Sequence, residues 1–240
     1  MTGEAAVFWG IVAANLLGVV VAKEAVEGSG AADADAAAAD AAADAAAAPP
    51  GQTTPRDALL DHFRASVASL RAGRWHTLLT SPLIHLSAVH CALNLLPLAL
   101  CRRAVPLAGR ELFSIYAAGC VAGAASHVAW MWHETRGAPD PRFALNTPAF
   151  VGASGGAAAV LACQAALAPA ALAALAGAVP VPVAAVAFGF ACVGVKEALY
   201  SDGPPAKVGG VVAGAVAALL IKRLRAGAGA GGRRMMGRGV

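Results

Sequence analysis

The chain of 240 residues is 58% hydrophobic and only 13% charged, with 18 Lys and Arg against 14 Asp and Glu. A soluble domain of this size could not bury six helices that are apolar on every side. The net charge of +4 does not describe a nucleic-acid surface either, because six of the eighteen basic residues lie after Ile221 with no aromatic residue among them.

The apolar residues fall instead in blocks of roughly 15–25, the length of a helix that crosses a bilayer. The reading is an all-α, multi-pass membrane protein of six transmembrane helices. Cys91, Cys101, Cys120, Cys163 and Cys192 all lie in apolar segments with no CxxC pair, so they read as small buried hydrophobes. Nothing in the pattern calls for a metal or an organic cofactor.

In chain order, residues 1–23 form the first unit, whose apolar core at 5–22 is preceded by Glu4 and no basic residue. This is a retained first helix rather than a cleaved secretory signal, which needs a basic start. Residues 24–57 are a low-complexity Ala/Asp linker, with Asp33, Asp35, Asp40 and Asp44 and a closing Pro49-Pro50-Gly51; before Arg56 its charges all have one sign, and with no apolar variety it has nothing to pack. The core spans 58–222. It opens with an amphipathic helix over 57–70 that carries Leu59, Leu60, Phe63, Val67 and Leu70 on one side and suits the membrane surface.

A second span is expected at 83–101, ending at Arg102-Arg103. A third is expected at 112–132, with Trp130 and Trp132 as interfacial anchors. A polar loop with Pro139, Asp140, Pro141 and Pro148 follows. The fourth span runs from 151 to about 177, the fifth from Pro180 and Pro182 to Lys196-Glu197, and the sixth from 207 to 221. Residues 223–240 are a basic Gly/Arg tail. Arg102, Arg103 and Arg110 share a side with that tail if there are six spans, and the positive-inside rule makes that side cytosolic or its equivalent. Ser154 and Lys207 then begin helices from the opposite side, and His90 and Asn94 lie within a helix entering from that same side.

Polar side chains inside membrane spans are costly and point to function. His90 and Asn94, four residues apart, share one helix face. Two hydrogen-bond donors aimed at one point are what an oxyanion requires; the alternative is that both bond only to neighbouring helices. Gly152-Ala153-Ser154-Gly155 reads either as close helix packing or as a serine nucleophile in a tight turn. Gly210 and Gly214 form a GxxxG after Lys207, and a glycine face lets that helix approach the fourth span.

Arg74-Trp75 through Leu79-Thr80-Ser81, His85, His90 and Asn94 resembles the first loop and second helix of the rhomboid family of intramembrane serine proteases. The stretch from Phe150 through Gly152-Ala153-Ser154-Gly155 resembles the family's nucleophile motif. Ala206-Lys207 with Gly210 and Gly214 resembles its last catalytic helix. The resemblance covers about residues 74–222 and implies a six-helix rhomboid-like bundle. It implies Ser154 as nucleophile, an oxyanion site of His90, Asn94 and the Ser154 amide, and another protein's transmembrane helix as substrate. Four positions depart from the family. Lys207 stands where the catalytic histidine is placed, Ala158 replaces an aromatic residue one turn after the serine, His76 follows Trp75 in place of arginine, and 104–106 lacks an acidic residue.

A lysine accepts a proton only when neutral, and an amine near a helix start can snorkel to water and stay charged. The favoured reading is therefore a rhomboid-like pseudoprotease in a lipid bilayer that engages transmembrane helices of client proteins. The alternative is an active serine endopeptidase with Lys207 as the base, since Ser-Lys pairs are a variant of the triad. A small transporter accounts for six spans but not for the four residues. His127 and His133 do not sit at a matching position, and His85 is assigned to the first-loop fold. The membrane, the client and the oligomeric state are not readable from the sequence.

Overall fold

The computed structural model describes residues 3–27, 62–85, 88–102, 104–136, 152–175, 179–200 and 206–236, with side chains at 21–27, 172–179, 193–200 and 227–236 left aside. The linker was expected at 24–57, but residues 24–27 continue the first helix, which ends at Glu27; residues 28–57, the proline loop around 139–148, and Arg103, Phe150 and Val151 lie outside the described residues.

The chain is mostly helical. Helix α1 is Gly3–Glu27, α2 Val67–Arg71, α3 Thr77–Thr80 followed by a 3-10 turn Ser81–Leu83, α4 Ala88–Cys101, and α5 Gly109–Thr135. Helix α6 is Ser154–Leu167, α7 Val183–Tyr200 and α8 Ala206–Met236, with two short strands, β1 Leu172–Leu175 and β2 Val179–Pro182, between α6 and α7. The strands pair antiparallel, Leu172 opposite Pro182 and Leu175 opposite Val179.

Large apolar side chains stay exposed all along these helices. Leu16, Leu17 and Val20 do so on α1, Val89, Leu93 and Leu96 on α4, Phe113 on α5, Phe188 on α7, and Val208, Val212, Val216 and Leu219 on α8. A belt of that extent needs lipid rather than water around it. Two described helices, over Gly3–Val20 and Gly109–Thr135, are long and apolar enough to cross a bilayer. A third crossing is available if Thr77–Leu83 and Ala88–Cys101, bent by 95°, act as one span. Helix α6 has only 14 residues, and α8 carries Lys207, Lys222 and Arg223.

Several boundaries differ from the sequence expectations for local reasons. Of the amphipathic helix expected over 57–70, residues 57–61 lie outside the described residues; His62 and Phe63 are helical, and a second helix begins at Val67, because Ser66 is extended and its hydroxyl accepts the Ser69 N–H as an N-cap. The second span begins at Ala88, after the 3-10 turn. The fourth ends at Leu167 instead of near 177. Pro169 disfavours helix at the preceding residue, and Ala168 is extended at φ −149° and ψ 77°. Helix α8 runs on through Lys222 and Arg223 to Met236, since no proline stops it.

The core is a three-helix contact of α5, α6 and α8 in which glycine removes the side chain at each crossing. A Cβ on Gly155 would lie 2.6 Å from the Gly119 carbonyl oxygen and 3.0 Å from Gly123 Cα. One on Gly210 would meet the Gly155 carbonyl, and one on Gly214 the Ala159 carbonyl. Backbones this close gain dispersion contacts that larger side chains would prevent. These pairs also set the directions: α6 and α8 run together, antiparallel to α5. Helix α1 packs along α5, where Asn15 donates to the Tyr116 hydroxyl at 3.0 Å and to the Ile11 carbonyl at 2.7 Å. The segment before α4 is tied to the far end of α5 by Arg71, whose guanidinium lies 4.5 Å from the Trp132 ring.

Candidate active site

Ser154 is the first residue of α6, and the two residues before it set its approach. Gly152 has φ +102°, a conformation that L side chains rarely adopt. Space makes the same demand: a Cβ there would lie 2.8 Å from His90 Cε1, 3.0 Å from His90 Nε2 and 3.5 Å from Asn94 Nδ2. The glycine thus lets the chain pass directly over the two polar side chains of α4.

The turn is also hydrogen-bonded from the segment preceding α4. The Gly152 N–H donates to the Ser81 carbonyl at 3.0 Å. The Ala153 N–H donates to His85 Nε2 at 3.2 Å. A backbone N–H can only donate, so His85 Nε2 is an acceptor, which makes the ring neutral with its proton on Nδ1. Asn94 Nδ2 lies 3.3 Å from the same nitrogen, and the His90 ring meets the His85 ring edge-on at 5.1 Å. His85 is fully buried. It joins the first loop, where the sequence alone places it, to α4 and the serine turn. Its signal was the run His85, His90, Asn94, but a histidine outside the periodic helix gives no indication of which backbone it will accept from.

The other candidates lie around this turn. Asn94 is buried with its amide on His85, while His90 borders Gly152. Gly155 contacts Gly210 as described, and a Cβ on Gly123 would lie 2.9 Å from both Gly155 Cα and the Ala206 carbonyl oxygen. The start of α8 therefore stands beside the start of α6, at the same end of the bundle. Ser154 and Lys207 are 7% and 8% exposed, so both groups are screened from bulk solvent. The Lys207 amine is 5.5 Å from the centre of the Phe190 ring on α7. His133 is exposed 3.8 Å from Glu134, and His127 is buried within α5. Among the described residues no three metal-binding side chains come together.

The His85 bond can be tested directly. His85→Phe keeps an aromatic ring but removes the acceptor, leaving the Ala153 N–H buried and unpaired at a cost of about 1–3 kcal/mol. Thermal unfolding in detergent should show a clearly lowered midpoint for His85→Phe and a larger drop for His85→Ala. Unchanged midpoints for both would mean that the bond does not hold the turn.

Comparison with known proteins gives one result. A family profile described as the Rhomboid domain matches residues 72–224, which is 153 of the 240 residues. No curated protein and no solved structure matches the chain.

Proposed function

The chain belongs to the rhomboid family and is an integral membrane protein, and from that premise we propose that it binds transmembrane helices of other proteins at the Ser154 end of its bundle without cleaving them. Six crossings are part of this proposal: α1, the bent α3–α4 segment, α5, α6, α7 and the apolar part of α8. The resemblance supports a serine turn at Ser154, with His90 and Asn94 as the oxyanion donors and Lys207 at the position of the family's histidine.

The observation that carries the non-cleaving reading is the place of the Lys207 amine against Phe190. General-base chemistry at serine requires a neutral acceptor for the hydroxyl proton, and residue 207 offers an alkylamine beside a ring of α7 in place of an imidazole. A protonated lysine can donate a hydrogen bond but cannot activate the serine. The retained turn fits a role in shape recognition, where a client helix meets a mouth framed by α4 and α6.

Reaction with a serine-directed phosphonate, compared between the parent and Ser154→Ala, tests this. Across pH 7 to 10 the two should label equally, at background. Labelling that depends on Ser154 and rises with pH would replace the pseudoprotease by the Ser-Lys endopeptidase, because alkaline solution favours a neutral amine. Client helices should co-purify equally with both proteins, since binding does not use the hydroxyl.

A further inference from the structure

The end of the bundle opposite Ser154 carries a separate feature. The end of α4, the start of α5 and residues 222–225 of α8 meet there. Arg102 lies 4.7 Å over the Phe8 ring, and Arg225 stands 3.6 Å from Glu111, whose carboxylate also accepts the Ala108 N–H at 2.9 Å. Arg110, Lys222 and Arg223 are exposed at this level. No Asp or Glu follows Glu197 and Asp202 in the sequence, and Glu111 is already engaged by Arg225.

The arrangement of the charges tells how α8 meets the membrane. Its 31 residues make a rod of about 46 Å, against a hydrocarbon layer of about 30 Å. The apolar stretch at 208–221 ends where the cations begin. At about 100° per residue, Lys222, Arg223 and Arg225 share an arc of about 160°; Arg225 is turned to Glu111 on α5, and Lys222 and Arg223 are exposed beside it. Cations that close the apolar stretch of a helix longer than the hydrocarbon layer lie at the headgroup level, within reach of phosphate oxygens. Leu224, 73% exposed between them, keeps this level at the edge of the hydrocarbon.

We propose that Arg110, Lys222 and Arg223 form a binding surface for the headgroups of anionic glycerophospholipids in the adjoining leaflet. Their charge complements the phosphate, and clustered basic residues next to a membrane helix select anionic lipid. The inference rests on the embedding of the chain in a bilayer and is independent of whether Ser154 reacts.

The full-length protein is reconstituted in bilayers of phosphatidylcholine with a minority of phosphatidylglycerol, and the lipids retained on extraction are weighed by native mass spectrometry. The parent should hold phosphatidylglycerol at about fivefold or more above its share of the bilayer. The triple variant Arg110→Gln, Lys222→Gln, Arg223→Gln should fall to the bulk share, whereas Arg136→Gln, at the Ser154 end, should match the parent. A parent at the bulk share, a triple variant that keeps the enrichment, or an equal loss in Arg136→Gln would each overturn the proposal. If circular dichroism shows that the triple variant has lost helix, the parent is measured in about 0.5 M salt. Screening should then remove the enrichment, and its persistence would count against the surface.

Discussion

Lys207→His should create Ser154-dependent phosphonate labelling at neutral pH, at least about 100-fold above the parent, because a positioned general base contributes roughly 10²–10⁴ in rate. The serine turn is already held by the Ser81 carbonyl and by His85, and Gly152 already brings His90 and Asn94 against it. What the proposed inactive site lacks is a group that is neutral near pH 7 and can take a proton, and imidazole is that group. Two controls separate this from a change of charge alone. Lys207→Gln removes the amine that faces Phe190 but supplies no base, so it should remain at background. Lys207→His combined with Ser154→Ala should also remain at background. A folded Lys207→His protein that stays inert would show that the site is silent for a reason other than residue 207. The pseudoprotease reading would then lose its stated cause.

The second large effect concerns the glycine contacts. Gly210→Val should prevent the bundle from assembling, and little folded protein should survive extraction in mild detergent. Its Cβ would press on the Gly155 carbonyl and lie 2.9 Å from Gly155 Cα. The obstructing atoms are backbone, which cannot turn aside like a side-chain tip. Overpacking of a core commonly costs about 1–3 kcal/mol, and here the whole α6–α8 crossing must separate. The same displacement would carry Lys207 away from the start of α6. Gly189→Ala is the matched control, since no atom outside its own helix lies within 4 Å of the position; it should purify as the parent does. Equal recovery of Gly210→Val would mean that α8 does not pack through this face.

Much of the placement of the elements could be read from the chain. Apolar blocks locate α1, α4, α5, α7 and the first half of α8, because a long apolar run with few charges favours a helix that satisfies its own backbone hydrogen bonds. The spacing of Gly210 and Gly214 marks a face for close approach, and these two do meet Gly155 and Ala159. The ends of the elements were less legible. Pro169 stops α6 ten residues before the apolar pattern fades, since hydropathy is indifferent to a missing N–H while a helix is not. Ser66 restarts the amphipathic segment for a similar reason: a hydroxyl captures a backbone donor there.

What the sequence determined by itself was the solvent of this protein and the set of polar residues it holds inside the apolar segments, because both follow from residue type and local spacing. Only the tertiary structure decided which of those residues meet. His85 accepts from a backbone N–H 68 positions away, Lys207 faces Phe190 on a different helix, and Gly152 passes over His90 because its φ is +102°. Each contact depends on how rods are rotated and stacked against one another. That is set by the summed fit of backbones at glycine crossings and leaves no periodic trace along the chain.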